Sequence, residues 1–296
     1  IELTGVHSGD SACVIPTVMV DDDALATLRD YTRRLACSLH TVGCLNVQYA
    51  MKDGVVYVIE ANPRASRTVP YVSKSTGVPW ARVACQLIEG HTLSELGIPD
   101  EPRLSGHFVK EVVLPFVKFP GEPAMLGPEM RSTGEVMGTD ESFGMAYAKA
   151  QIAAGNALPT SGTVFLSVND RDKENLLPIA RDLADLGFSL IATRGTAAAL
   201  RAAGLSVDTI RKVSEGRPNG IDHIINGDIH LVINTPLGSR SFSDEHMLRQ
   251  VAIAHGVPVL TTLSAAKAAA LAIAALKAGG LEVQSLQERW SSQAVK

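Results

Sequence analysis

Several absences narrow the field before any motif is considered. Clustered basic charge is missing: 27 Lys and Arg stand against 31 Asp and Glu, a net charge of −4 with a pI near 6.1. Affinity for a phosphate backbone is built from clustered cations, so no nucleic-acid partner is expected, although local basic pockets remain open. No apolar run reaches the roughly 20 residues that span a bilayer. The most apolar stretch, AAALAIAAL at 268–276, reads as a buried helix, and no membrane partner is expected. Cysteine is scarce, and Cys13, Cys37, Cys44 and Cys85 form no C-x-x-C pair. They read as reduced core residues of a cytoplasmic protein rather than as zinc ligands or a disulfide frame. A start methionine is lacking too: the chain opens IELTGVHSGDSACVIP, with no leader or transit pattern, and is expected to be cut from something longer.

What is present is a chain of 296 residues, 46% hydrophobic and 20% charged, enough for about two soluble domains. Around Gly5 and Gly9 the residues Glu2, His7, Ser8, Asp10 and Ser11 read as a plain turn. Asp21 to Asp23 suit a helix N-terminus, and Leu25, Leu28, Tyr31, Leu35 and Leu39 carry the helical period to about His40, so the triple Asp reads as a cap and not a metal site. Two β-rich runs follow, NVQYA and VVYVIEAN, joined at Lys52-Asp53-Gly54. A three-residue loop pairs Met51 with Val55 and puts Gln48, Glu60 and Asn62 on one face; a two-residue Asp-Gly turn separates them. The longer loop is expected, because carboxylate and amide oxygens on one face are the hard ligands that Mg²⁺ takes beside substrate phosphates. Arg64 and Arg67 come next, with guanidinium forks suited to phosphate. A strand that merely ends in solvent is the alternative.

Further on, Tyr71 to Gly77 reads as a loop or short helix and Trp80 to Glu89 as a helix. Glu111 precedes an apolar strand, where an exposed charge at a strand start is the simpler reading. The Gly-, Pro- and Met-rich segment from Phe119 to Thr139 reads as an extended loop, and Ser142 to Asn156 as a helix. Gly155-Asn156 with Pro159, Ser161 and Gly162 marks the expected domain boundary, dividing the chain into 1–155 and 156–296. Beyond it strands and helices alternate. Strands at Thr163–Val168, Ser189–Thr193, Ile229–Asn234 and Val257–Thr262, with a shorter candidate at Val207–Ile210, predict a parallel sheet with helices on both faces. Ligands in such folds lie outside the carboxyl ends of the strands. The residues there are Ser167, with Lys173 close behind, Thr193-Arg194-Gly195-Thr196, and Asn234-Thr235-Pro236. TRGT opens a helix, so it is either a phosphate seat, with Lys212 and Arg217 supplying charge, or a helix cap at Thr193 or Thr196.

Taken together, HSGDSA, NVQYA, VIEANPRASRTVPYVSKSTG, KEVVLPF and LGPEMRSTGEVMG resemble the carboxy-terminal end of the large subunit of bacterial, glutamine-hydrolysing carbamoyl phosphate synthetase, over the whole chain. The resemblance implies the C-terminal portion of an α+β ATP-grasp domain, then an α/β Rossmann-like, methylglyoxal-synthase-like allosteric domain. It implies an ATP-dependent ligase that phosphorylates carbamate, with ATP and Mg²⁺ or Mn²⁺ as cofactors and K⁺ as a further ion. Gln48, Glu60 and Asn62 would hold metal, Gln48 and Glu60 with His7 and Ser8 would meet the nucleotide, and Arg64 would meet the transferred phosphoryl group. Glu2, Asp10, Glu111 and Thr261 match positions that bind the activator ornithine. Ser167, Lys173, Thr193, Thr196, Lys212 and Asn234 match positions lining a site for UMP or IMP. A glutaminase small subunit is the implied partner, in an oligomer of the heterodimer that serves arginine and pyrimidine synthesis.

The chain also departs from the family. Arg194 stands where many relatives carry His, Pro236 replaces a hydroxyl residue, and Val259 and Leu260 replace Tyr-Asp. The other ATP-grasp lobe would precede Ile1, so the isolated chain is expected to make no carbamoyl phosphate. A stand-alone regulatory module is the competing reading. Methylglyoxal synthase activity would need a catalytic carboxylate beside the phosphate seat, and the sequence places none.

Overall fold

The computed structural model describes residues 1–2, 5–102, 104–118, 126–235 and 242–293. Two compact units emerge. A hairpin unit comprises Val14–Ser105 with Glu282–Lys296, and a sheet unit comprises Ile1–Cys13 with Gly106–Leu281.

After β1 (Cys13–Ile15), at the border of the units, α1 (Asp22–Ser38) begins on a cap: the Asp21 carboxylate accepts from the Ala24 N–H at 2.8 Å. The triple Asp is thus a helix start, as its sequence suggests. Strands β2 (Asn46–Lys52) and β3 (Val55–Asn62) form an antiparallel hairpin, but Lys52 pairs with Val55, so the turn has two residues and not three. Asp53 and Gly54 both take positive φ, +51° and +76°, the backbone that Asp-Gly favours because its twist matches the strands. The turn alone would separate Gln48 from Glu60. A bulge at Ile59 restores them: Tyr49 faces Val58, and Gln48 faces Glu60. Helix α2 (Thr68–Thr76) occupies the stretch read as a loop or short helix, and ends at Gly77, φ +72°, where an added Cβ would lie 2.9 Å from the Trp290 ring. Helix α3 (Trp80–Ile88) follows.

In the sheet unit β4 (His107–Val113) pairs antiparallel with β5 (Gly134–Asp140). Part of the expected loop is therefore a strand. Its glycine has a packing cause, because α4 (Phe143–Ala153) lies directly on it: a Cβ at Gly138 would strike the Ala146 carbonyl oxygen and the Ala150 nitrogen. The parallel sheet is built from β6 (Thr163–Ser167), α5 (Lys173–Asp185), β7 (Ser189–Thr193), α6 (Arg194–Ala202), β8 (Asp208–Ile210), α7 (Gly220–Ile225), β9 (Leu231–Asn234), α8 (Phe242–Ala254), β10 (Val259–Leu260) and α9 (Leu263–Ala278). Strand order is β10-β9-β6-β7-β8, all parallel, with β6, β7 and β9 largely buried apolar runs. Helix α10 (Leu286–Gln293) closes the described chain in the hairpin unit.

The compact units divide the chain elsewhere than the break read at Gly155–Gly162. Helix α4 packs along α9, and a Cβ on Gly144 would lie 2.6 Å from the Leu271 carbonyl oxygen. The apolar run at 268–276 lies in α9 and is mostly buried, as expected. The cysteines correct their reading: all four are free, but Cys37 on α1 and Cys85 on α3 are exposed, and Cys13 and Cys44 are half-buried rather than in a core. Among the described residues no helix is long and apolar enough to cross a membrane. Pro236 lies outside the described residues.

The glycine packing carries a prediction. Gly138→Ala should destabilise the sheet unit by about 1–3 kcal/mol or more, as overpacking does. Gly134→Ala, whose Cβ meets only Val113 Cβ at 4.0 Å, should be close to neutral. Urea denaturation of both variants checks this, and equal stabilities would refute the close β5–α4 contact.

Candidate functional site

In the hairpin unit the bulge sets the ligand face. Gln48 stands opposite Glu60 and Asn46 opposite Asn62, so four oxygen-bearing side chains share one side of the ladder. The Asn62 amide donates to Glu60 Oε1 at 2.9 Å, which confirms that they adjoin. Of these Gln48, Glu60 and Asn62 offer one carboxylate and two amides, with the Asn46 amide beside them, and among the described residues no group of three or more His, Cys, Asp or Glu gathers into a metal site. Such a set fits a hard cation that takes its remaining ligands from phosphate and water. Arg64 follows in the loop, its Nη1 donating to the Ala65 carbonyl at 3.0 Å. It lines a cavity of about 400 Å³ whose polar side is Asn46, Arg64, Ser66 and Thr68 and whose other walls include Trp80 and Leu87. His7 and Ser8 belong to the sheet unit. There His7 Nδ1 accepts from the Gly9 N–H at 3.0 Å, which leaves Nε2 as the donor, and the Ser8 carbonyl lies 3.5 Å from Lys110 Nζ.

The sheet unit brings Glu2, Asp10, Glu111 and Thr261 together. All four line one cavity of about 260 Å³, joined by Tyr147 and Gln151 from α4. Glu111 sits inside β4 at 7% exposure, which disposes of the reading as an exposed charge at a strand start. Gln151 Nε2 donates to its Oε2 at 2.5 Å and the Val112 N–H to its Oε1 at 3.1 Å. Burial nonetheless pushes its carboxyl up to about 7. Burial pushes Glu2 up as well. Asp10 goes the other way. It too is desolvated, but hydrogen bonds from Ser132 and from the Arg131 and Ser132 N–H groups, at 2.7 and 2.9 Å, hold it below the usual Asp value. One carboxylate is therefore held ionised while two are uncomfortable without a cation, an arrangement suited to a ligand carrying ammonium groups. The turn at Ser8–Asp10 is both a plain turn and a wall of the cavity. Tyr147 and Gln151, which the sequence reading passed over, lie one helical turn apart on a helix of small residues, and that spacing is the signal they offered.

A second pocket lies at the carboxyl ends of β6 and β9, where the strand order reverses. Ser167 and Asn234 pair across it, and Thr193, Arg211 and Lys212 line it with them. Its volume is about 40 Å³, and Asp244 and Glu245 also line it. Thr193 precedes α6 without capping it through its side chain; its hydroxyl lies 3.4 Å from both Ser167 Oγ and Thr196 Oγ1. Thr196 Oγ1 accepts from the Val168 N–H at 3.4 Å, so neither Thr serves as the helix cap that the sequence left open. Lys173 lies at the same helix start, its Nζ 3.2 Å from a Cβ placed on Gly195 and 2.6 Å from Asp170 Oδ1. Its ammonium holds Asp170 below the usual carboxylate range, with Lys212 adding to the effect. Arg217, read as a further source of charge, is instead paired with Asp222, Nε to Oδ1 at 2.7 Å.

Residues 2–96 match the family model of the carbamoyl-phosphate synthase L chain ATP binding domain, and residues 175–261 match that of the MGS-like domain. The carbamoyl phosphate synthase large chain of Archaeoglobus fulgidus is 53% identical over 289 residues, 97% of this chain and 27% of that one. That of Acidobacterium capsulatum is 51% identical, covering 100% and 28%, and that of a Synechocystis species 50%, covering 97% and 27%. The chain thus spans about 27% of the length of the first of these relatives. With an ATP-binding-domain segment followed by an MGS-like parallel sheet, it belongs, as a stretch of that length, to the carbamoyl phosphate synthase large-chain family.

Proposed function

We propose that this chain supplies, within a carbamoyl phosphate synthase large chain, part of the site that phosphorylates carbamate with ATP, together with a unit that receives effectors. The observation that carries the reading is the acidic cavity. Glu2, Asp10, Glu111 and Thr261, far apart in sequence, line one space, and three carboxylates beside a hydroxyl suit ornithine, with two ammonium groups and a carboxylate. The pocket at the β6/β9 switch supports a second effector, a nucleoside monophosphate such as UMP or IMP. Ser167, Thr193, Thr196, Lys173, Lys212 and Asn234 would hold it, at a helix start that favours phosphate.

For the catalytic part, Gln48, Glu60 and Asn62 would hold Mg²⁺ or Mn²⁺, which when bound neutralises the charge of the nucleotide phosphates; K⁺ would assist. Arg64 would orient the transferred phosphoryl group, and His7 and Ser8 would lie along the nucleotide. Phosphoryl transfer asks for positioning and charge neutralisation, so no general base is required of this chain. The wider reading is a cytoplasmic, glutamine-hydrolysing ligase of arginine and pyrimidine synthesis, fed with ammonia by a glutaminase small subunit and assembled as an oligomer of the heterodimer. The ligand face presents an exposed Glu60 on a two-stranded hairpin, whereas both effector pockets lie within one compact unit. That difference favours a second reading for the chain by itself, a regulatory module that binds effectors without turnover.

Calorimetric titration with UMP and L-ornithine tests the two-pocket picture. Lys173→Ala and Thr193→Ala should each weaken UMP by about tenfold, the effect of losing one charge-assisted hydrogen bond, and leave ornithine within about twofold. Unchanged UMP binding in both variants would contradict the phosphate seat.

Ornithine binding should also follow Glu111. A carboxyl held at about 7 is protonated below that pH and must lose its proton before it meets an ammonium group. Affinity should therefore fall by about tenfold per pH unit as pH drops below 7, with one proton released on binding. Heats measured at pH 6 in buffers of different ionisation enthalpy report that release, and Glu111→Gln should abolish it. A pH-independent affinity in the unsubstituted chain would contradict the role of Glu111.

A further inference from the structure

Helix α10 belongs to the hairpin unit, although α9, the helix before it, lies in the sheet unit. The stretch between them, residues 279–285, is exposed and without regular structure, with Val283 at 93% exposure. Yet α10 is built to form. Ser285 Oγ accepts from the Glu288 N–H at 3.1 Å and Glu288 Oε2 from the Ser285 N–H at 2.9 Å, a reciprocal cap. Leu286, Arg289 and Trp290 are half-buried while Gln287, Glu288 and Ser291 are exposed, so burial follows one face at the i, i+3, i+4 spacing. Eight residues are too few for a helix to persist by itself, and this face has to hold it. Arg289 Nη2 donates to the carbonyl of Ser105, where the chain leaves the hairpin unit for β4. The Trp290 ring lies over Gly77, where an added Cβ would be 2.9 to 3.2 Å from three ring carbons.

What Trp290 covers is the end of α2, and α2 supports itself poorly. It has nine residues, and its N-cap, Arg67, supplies no side-chain cap. Contacts hold it instead. At the carboxyl end Trp80 Nε1 donates to Thr76 Oγ1 at 2.9 Å, the Trp80 N–H donates to Ser73 Oγ at 3.2 Å, and Trp290 closes over Gly77. At the amino end the Val69 N–H donates to the Ser66 carbonyl at 3.1 Å, and the Ser66 and Thr68 hydroxyls lie 2.6 Å apart. Just before them the Arg64 N–H donates to the Asn62 carbonyl at 2.8 Å. A short, hydrogen-bonded run therefore links the ligand face to α2. A helix of nine residues carries a shift at one end to the other, roughly 13 Å away, as a rod.

We propose that α10 is a strap that positions Arg64: with Trp290 seated on Gly77, α2 is pinned at its carboxyl end, and the loop leading into its amino end is held beside the ligand face. Trp290 is a positioning residue, acting through α2. The segment matched by the ATP-binding family model ends at residue 96, so the strap lies outside it. The exposed stretch 279–285 lets the strap leave and return while α9 stays folded. The functional half of the proposal rests on the reading of Arg64 above; the pinning of α2 does not.

Hydrogen exchange on the chain reads the pinning. In the unsubstituted chain α2 must open whenever α10 leaves, so protection factors in α2 should not exceed those in α10. Protection of α2 more than about tenfold above that of α10 would overturn the strap. Trp290→Ala should lower protection across α2 and the loop from Arg64 to Arg67 by about tenfold or more, and leave β6, β7 and β9 within about twofold. Trp290→Phe, which keeps a flat ring, should restore it. Unchanged protection of α2 in Trp290→Ala would overturn the strap, and the comparison within the unsubstituted chain decides if that variant folds poorly. Turnover reads the reach to Arg64. In the complete large chain with its glutaminase, Trp290→Ala should lower kcat for carbamoyl phosphate about tenfold, as misplacing a positioned group does, with the KM for ATP within about twofold. A kcat unchanged while α2 loosens, or a loss carried by KM alone, would overturn the positioning role. A complete large chain that makes no carbamoyl phosphate before substitution would overturn the reading of Arg64, and the functional half with it, while the exchange results still decide the strap.

Discussion

Helices α4 and α9 approach until a backbone carbonyl of one touches the Cα surface of the other, and that contact organises the sheet unit. Gly144 meets the Leu271 carbonyl where any side chain would collide, and buried alanines, among them Ala146, Ala150, Ala266 and Ala269, line the helices. Small residues lose little by way of side-chain entropy and let the helices close without voids. The consequence reaches both sheets, because α4 lies on β5 through Gly138 while α9 follows directly from β10. The β4–β5 ladder and the parallel sheet are thereby one packed body. The acidic cavity forms where they meet, with Glu111, Tyr147 and Gln151 on one side and Thr261 and Ala265 on the other.

The same contact explains why polar groups survive at that depth. Glu111 accepts from the Gln151 amide and the Val112 N–H, and Asp10 is clamped by two backbone N–H groups. Burial still pushes Glu2 and Glu111 up, so under the proposed reading a cationic ligand would be favoured there. The switch-point pocket follows another logic. It is lined by hydroxyls and an amide at strand ends beside Arg211, Lys212, Asp244 and Glu245, with Lys173 at the adjoining helix start, and under the proposed reading the cationic side would receive an anion.

Much of this was legible in the sequence, and what was not has physical reasons. The parallel strands and the Asp21 cap announced themselves by local pattern, and strand ends came within a residue or two. Strand β5 did not, because Gly134 and Gly138 hide its alternation; the glycine at 138 answers to a helix packed on the strand, which no local pattern reports. On the hairpin the ligand face was expected for the wrong reason. Asp-Gly made the short turn it prefers, and a bulge at Ile59, with no signature of its own, brought Gln48 to Glu60. Local pattern did not find Glu111, since K-E-V-V-L reads more simply as a strand with an exposed start; the family resemblance singled it out, and its burial agrees with that.

The central claim is that one cavity, walled by both halves of the sheet unit, receives an amino-acid ligand. Hydrogen exchange with and without saturating L-ornithine tests it most directly. Protection should rise together in β4 and α4 and in the segment Val257–Thr262, while α1 and α3 of the hairpin unit exchange as before. Protection confined to one of the two walls, or none in either, would contradict the account.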